Sequence, residues 1–188
     1  AISHTKKALR FDSSNRYFAD LYYHKLDLIY QITGDQAARI SNLYAIMKVG
    51  VHALEAYRAL KTLHQPAEWI KIRLQLIQEV RHVDERAEIY ASEKMYPELL
   101  ECILASDGIE LLQKYDQILA KHYPEKIIQT YESLLNKSMR VAGGRLYYQK
   151  IVKILKHVKK LHGGEDLCNQ LIKTWCDKYS NRRAMIEE

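Results

Sequence analysis

Seven glycines and three prolines in 188 residues, roughly 5% where an average chain carries about 12%, leave too few chain-reversing residues for the many tight turns of a β-rich fold. The apolar residues point the same way. They recur at i, i+3, i+4 and i+7, the spacing that lines one face of a 3.6-residue helix, and not in the strict alternation of a half-buried strand. The sequence therefore predicts an all-α chain, and at 22.1 kDa with 47% hydrophobic residues it has the size and apolar content of one globular domain.

Punctuation divides the chain into short rods. Asp12, Ser13 and Ser14 offer N-caps for a helix whose stripe, Phe18, Leu21, Tyr22, Leu26, Ile29 and Ile32, stops at Gly34. Asp35 can cap the next, whose stripe Ile40, Leu43, Tyr44, Met47, Val51 and Leu54 runs through Gly50, where a break is expected because glycine weakens a helix interior by about 1 kcal/mol. Pro66, Pro97 and Pro124 mark three further starts, since proline suits the first helical turn, where its missing N–H would have had no partner. The last two lie in a repeated triplet, Tyr96-Pro97-Glu98 and Tyr123-Pro124-Glu125, whose glutamates suit a positive helix start. Second helices are predicted over about His82 to Lys94 and Gly108 to Lys121, the latter opened by an Asp107/Glu110 capping box. Gly143-Gly144 precedes a helix over Arg145 to Leu161, and Gly163-Gly164 separates it from Asp166 to Tyr179. That helix carries Leu167, Cys168, Leu171, Ile172, Trp175, Cys176 and Tyr179 on one face, and a last helix starts near Ser180 or Asn181.

Helix pairs opening at about 66, 97, 124 and 165 with short connections must run antiparallel. The predicted architecture is a string of αα-hairpins stacked as an irregular tetratricopeptide-like solenoid or right-handed superhelix. The uneven spacing and the absence of the Trp-Leu-Gly consensus leave an irregular bundle as the alternative. The whole chain, residues 1–188, is expected to form one helical-repeat domain, with N-terminal helices over 1–64 and stacked hairpins over 65–188. Because it begins at Ala1 and not at Met, it is expected to be a piece of a longer protein.

Several function classes have no foothold. The longest charge-free stretch, Ile40 to Met47, falls far short of the ~18–20 apolar residues of a membrane span. No apolar run of signal-peptide length follows Lys6, Lys7 and Arg10, so no membrane partner and a cytoplasmic location are expected. Cys102, Cys168 and Cys176 have neither CxxC nor CxC spacing, which argues for reduced thiols and against structural zinc. Glu79-x-x-His82 is one copy of a pair that di-iron bundles use twice, and the eight histidines never occur as His-x-x-x-His. The glycine pairs lack the residues of phosphate-cradling loops. With no nucleophile, base and oxyanion donor to group, neither catalysis nor a cofactor nor a metal is expected of this chain.

One stretch stands apart from the modest net charge of +6. From Lys137 to Lys160 there is no acidic residue, but there are Lys137, Arg140, Arg145, Lys150, Lys153, Lys156, Lys159 and Lys160. On a helix, Lys150, Lys153, His157 and Lys160 share a face beside the stripe Tyr147, Ile151, Ile154, Val158 and Leu161, with Lys156 pointing away from it. Arg140, Arg145, Lys150, Lys153, Lys156, His157 and Lys160 are the candidate binding residues, for an acidic protein partner or for nucleic-acid phosphates. The plain reading is a solvated face with lysines near a negative helix C-terminus.

The segments Tyr123-Pro124-Glu125-Lys126-Ile127-Ile128, Tyr148-Gln149-Lys150-Ile151-Val152, Leu155 to Leu161, Gly163-Gly164, Leu171-Ile172-Lys173 and Tyr179 to Glu188 resemble the end of bacterial SWIM zinc-finger proteins. The resemblance extends back to Ala53 to Lys61 and Glu68-Trp69-Ile70-Lys71. It implies a tetratricopeptide-like helical region of a larger protein, serving protein–protein interaction or scaffolding toward a protein partner or the rest of its own chain. The family's zinc motif, Cys-x-Cys followed by Cys-x-His, has no match here, so zinc is implied only for an absent SWIM domain and its ligands carry over to no residue.

Overall fold

The first long helix starts one residue later than the predicted caps. Asn15 accepts from the backbone N–H of Tyr17 at 3.1 Å and of Phe18 at 3.5 Å, opening α2 (Arg16–Thr33). In the computed structural model, which describes residues 1–12, 15–49, 52–106 and 108–187, the predicted caps Ser13 and Ser14 lie outside the described residues, and Asp12 ends an earlier helix, α1 (Ile2–Asp12). Gly34 closes α2 in the left-handed region at φ 72°, as its lack of a Cβ permits. Asp35 Oδ1 accepts from Ala38 N at 3.0 Å, and α3 (Gln36–Val49) follows.

The expected break falls between α3 and α4 (Ala53–Leu63); Gly50 itself, and Val51 of the predicted stripe, lie outside the described residues. Pro66 is the first residue of α5 (Pro66–Gln78), Pro97 the second of α7 (Tyr96–Leu104) and Pro124 the first of α9 (Pro124–Val141). Between them stand α6 (Val83–Ser92) and α8 (Ile109–Leu119). Gly108 takes the cap position of α8, and Asp107 of the predicted capping box lies outside the described residues. Three helices complete the chain: α10 (Arg145–Val158), α11 (Gly164–Lys178) and α12 (Arg183–Ile186). The described residues are all-helical, with no strand, and no helix among them is long and apolar enough to cross a membrane.

The chain divides into two compact units, Ala1–Cys102 and Ile103–Glu188. In unit 1, α1 packs on α2, α2 on α3, α3 on α4, and α4 on α6, which also meets α5. Tyr57, Leu60, Ile77, Val80, Ala87 and Ile89 are fully enclosed, and the rings of Tyr57 and Trp69 meet edge-on at 4.9 Å. Glu85 on α6 reaches across to accept from Ala53 N at 3.1 Å. It supplies the start of α4 with the carboxylate that its own cap residue, His52, does not. In unit 2, α9 packs on α8, α10 and α11, while α10 also meets α11 and α12. Leu112, Leu119, Ile127, Tyr131, Leu135 and Val158 form its core.

Three predicted stripes are turned relative to the helices that carry them. On α2 the buried residues are Ala19, Leu26 and Tyr30, while Phe18, Leu21 and Ile32 are exposed, Ile32 to 77%. On α10 the core takes Tyr148, Ile151, Leu155 and Val158, and Tyr147 is 56% exposed. On α11 the core takes Leu167, Cys168, Leu171 and Trp175, leaving Ile172 and Cys176 outside. Periodicity finds the apolar side of a helix, but a stripe wider than the neighbouring helices cover leaves one of its edges in water.

Gly163-Gly164 is less a stop than a start. Gly163 holds φ 75° as the cap of α11, and Gly164 is buried against α10, where a Cβ would lie 1.8 Å from the carbonyl oxygen of Val158. Only glycine lets the backbones approach this closely.

Candidate binding surface on the C-terminal helices

The basic residues picked out by the sequence differ in their surroundings. Arg140 sits exposed in the last turn of α9, and Arg145 opens α10 with its Nη2 on Glu187 at 2.6 Å. Lys150 lies over the ring of its neighbour Tyr147, 5.8 Å from the centroid. Lys153, Lys156 and Lys160 are exposed and, among the described residues, meet no carboxylate, nor does Arg140. Lys159 does: its Nζ lies 2.9 Å from Glu165, and that hydrogen bond raises the lysine above its ordinary range.

Two members have neighbours that helical spacing does not reveal. His157 does not join the lysine face; it turns inward, and its Nε2 meets Oδ2 of Asp116 at 2.5 Å. Asp116, on α8, is 0% exposed and receives the Tyr131 hydroxyl at the same oxygen, also at 2.5 Å. Burial first, then the hydrogen bond to Asp116, pushes the Tyr131 phenol far above its usual range. The three side chains tie α8, α9 and α10 together, so His157 acts as a structural clip. Lys156, expected to point away from the stripe of Tyr147, Ile151, Ile154, Val158 and Leu161, is exposed and lines an apolar groove.

That groove, of about 320 Å³, lies among α9, α10, α11 and α12 and is lined by Ile151, Leu155, Ile172, Trp175, Met185 and Lys156, among others. Ile172, 46% exposed, and Ile186 give it an open apolar wall. The framework around it is fixed by polar contacts. Trp175 Nε1 donates to Asn136 Oδ1 at 2.9 Å. Arg182 stacks on Tyr179 at 4.1 Å and donates to the carbonyl oxygens of Met139 and Ala142 at 3.0 and 3.1 Å, a cation at the negative end of α9. No sequence signal singles out Arg182 or Asn136, because their partners lie about 40 residues away.

Of the three thiols, Cys176 is exposed, and Cys102 and Cys168 are sheltered. Burial pushes Cys168 and Cys102 above the ordinary thiol range, which keeps them protonated at neutral pH. Cys168 Sγ donates to the carbonyl of Leu155 at 3.4 Å. Among the described residues one group has metal-ligand spacing, Asp20, His24 and His52 of unit 1. Comparison of the chain with protein-family models, with curated proteins and with solved structures finds no match.

Proposed function

We propose that this chain is a non-catalytic helical-repeat module for protein–protein interaction, and that the groove of unit 2 takes an acidic amphipathic helix of a protein partner. The observation that carries this is the pairing, in one groove, of an open apolar wall around Ile172 with the exposed cation of Lys156 in its lining. An apolar helix face would fill the wall, and a flanking carboxylate would meet Lys156. Successive-neighbour packing, together with the skip contacts α4 on α6 and α9 on α11, supports a tetratricopeptide-like stacking of hairpins within each unit. The resemblance to the C-terminal region of SWIM zinc-finger proteins supports the same reading, a helical module within such a protein.

The second reading is a nucleic-acid accessory module, favoured by the cations that meet no carboxylate among the described residues, Arg140, Lys153, Lys156 and Lys160. One experiment separates the two: fluorescence anisotropy with a synthetic acidic amphipathic helix and with a DNA duplex, across salt. Ile172→Asp should weaken the peptide about tenfold, the scale of an interface anchor, and leave DNA unaffected. Changing Lys150, Lys153 and Lys160 to Glu should abolish any steeply salt-dependent DNA binding. A peptide that binds Ile172→Asp as tightly as wild type would remove the groove from the proposal.

A further inference from the structure

We propose that unit 1 carries a zinc-class metal site built from Asp20, His24 and His52. Asp20 and His24 stand one turn apart on α2, and His52 comes in from the corner before α4, which places one ligand atom from each within 4.8 Å of the others. His24 Nε2 and Asp20 Oδ1 are 3.2 Å apart. Two ligands on a tetrahedral ion with bonds of about 2.0–2.1 Å would be separated by roughly 3.3 Å.

Two further observations point to a ligand. First, Asp20 Oδ1 and His24 Nε2 are both buried without a hydrogen-bond partner, so their approach is not an aligned hydrogen bond, and the two atoms a metal would take are the two left unsatisfied. Second, the His52 Nδ1 lies 3.2 Å from Glu55 Oε2. A carboxylate on one ring nitrogen orients a metal-bound histidine and leaves Nε2 for the ion. The rings of His24 and His52 are 5.2 Å apart and nearly perpendicular. His52 is also held at φ 54°, an uncommon conformation for a residue with a side chain.

The ligand chemistry selects the metal. Two imidazoles and one carboxylate suit zinc and its transition-metal neighbours better than magnesium or calcium, which prefer all-oxygen sites. Asp20 with Glu55 behind His52 supplies two negative charges to a divalent ion. Three protein ligands leave a fourth position open to water or a ligand.

The test is calorimetric titration of zinc into the chelator-stripped chain, with cobalt(II) absorption reporting the geometry. One zinc per chain is expected. His24→Gln and His52→Asn, the latter chosen because Asn accepts positive φ, should each weaken binding by more than the ~10–100-fold that loss of an outer partner costs, and Glu55→Gln should fall within that range. His162→Gln, exposed in unit 2, should change nothing. Asp20→Asn keeps the side-chain shape and guards against misfolding: it should melt at the wild-type temperature in chelator and lose the zinc-induced rise. Absence of stoichiometric zinc binding, or binding that survives His24→Gln and His52→Asn, would overturn the site.

Discussion

Each unit encloses a tyrosine completely and sets an aspartate against a histidine, and the two units complete these arrangements differently. In unit 2, Tyr131 and His157 both reach Oδ2 of Asp116, a carboxylate with no exposure of its own. In unit 1, Asp20 and His24 approach without an aligned hydrogen bond, and the hydroxyl of Tyr57, equally enclosed, has the Trp69 indole beside it but no well-aligned hydrogen bond. The same residue types therefore serve as an internal clip in one place and as an unfinished polar site in the other. What separates them is donor supply at the facing atoms: Asp116 Oδ2 is met by two protein partners, while Asp20 Oδ1 and His24 Nε2, like the second oxygen of Asp116, are buried without one.

The comparison breaks most visibly at Asp116. Asp116→Ala strands the Tyr131 hydroxyl and His157, and removing one partner of a buried pair costs about 3–5 kcal/mol; urea denaturation at neutral pH should show a loss on that scale. A loss below about 1 kcal/mol would mean that the clip does not hold α8 to α9 and α10. Next in size is Tyr131→Phe, which keeps the ring and deletes one hydrogen bond to a charged acceptor, for an expected loss of about 1.5–3 kcal/mol by the same measurement.

The helices were legible because their signals are local. Proline at a first turn, Gly34 at a left-handed stop and Asp35 at a cap act within a few residues. α1 was not, since it has neither a proline start nor a long stripe, and what secures it is packing on α2. The site was legible only in part. Periodicity places Lys153 and Lys160 in water, but it cannot say that Asp116, 41 residues before His157, lies across from that histidine. Nor can it say that α12 completes an apolar groove beside Lys156. The pair Asp20-x-x-x-His24 was visible as a spacing, yet a search for paired histidines passes over it, and its third member comes from another helix corner.

The smallest effect sharpens the contrast between the two enclosed tyrosines. Tyr57→Phe removes a hydroxyl that makes no well-aligned hydrogen bond, so at neutral pH its stability should stay within about 0.5 kcal/mol of wild type or rise slightly. The difference should appear in alkali. Burial, reinforced by the charge of Glu93, pushes the Tyr57 phenol up to about 12, against about 10 in the unfolded chain. A group whose folded value is raised contributes its stability in full below the unfolded value and loses it as the pH climbs through the folded one. Wild type should therefore lose stability between about pH 10 and pH 12 on account of Tyr57, and denaturation curves across that window should be shallower for Tyr57→Phe. Parallel curves for the two proteins would mean that the Tyr57 hydroxyl reaches water or a donor, and unit 1 would then have finished its tyrosine as fully as unit 2.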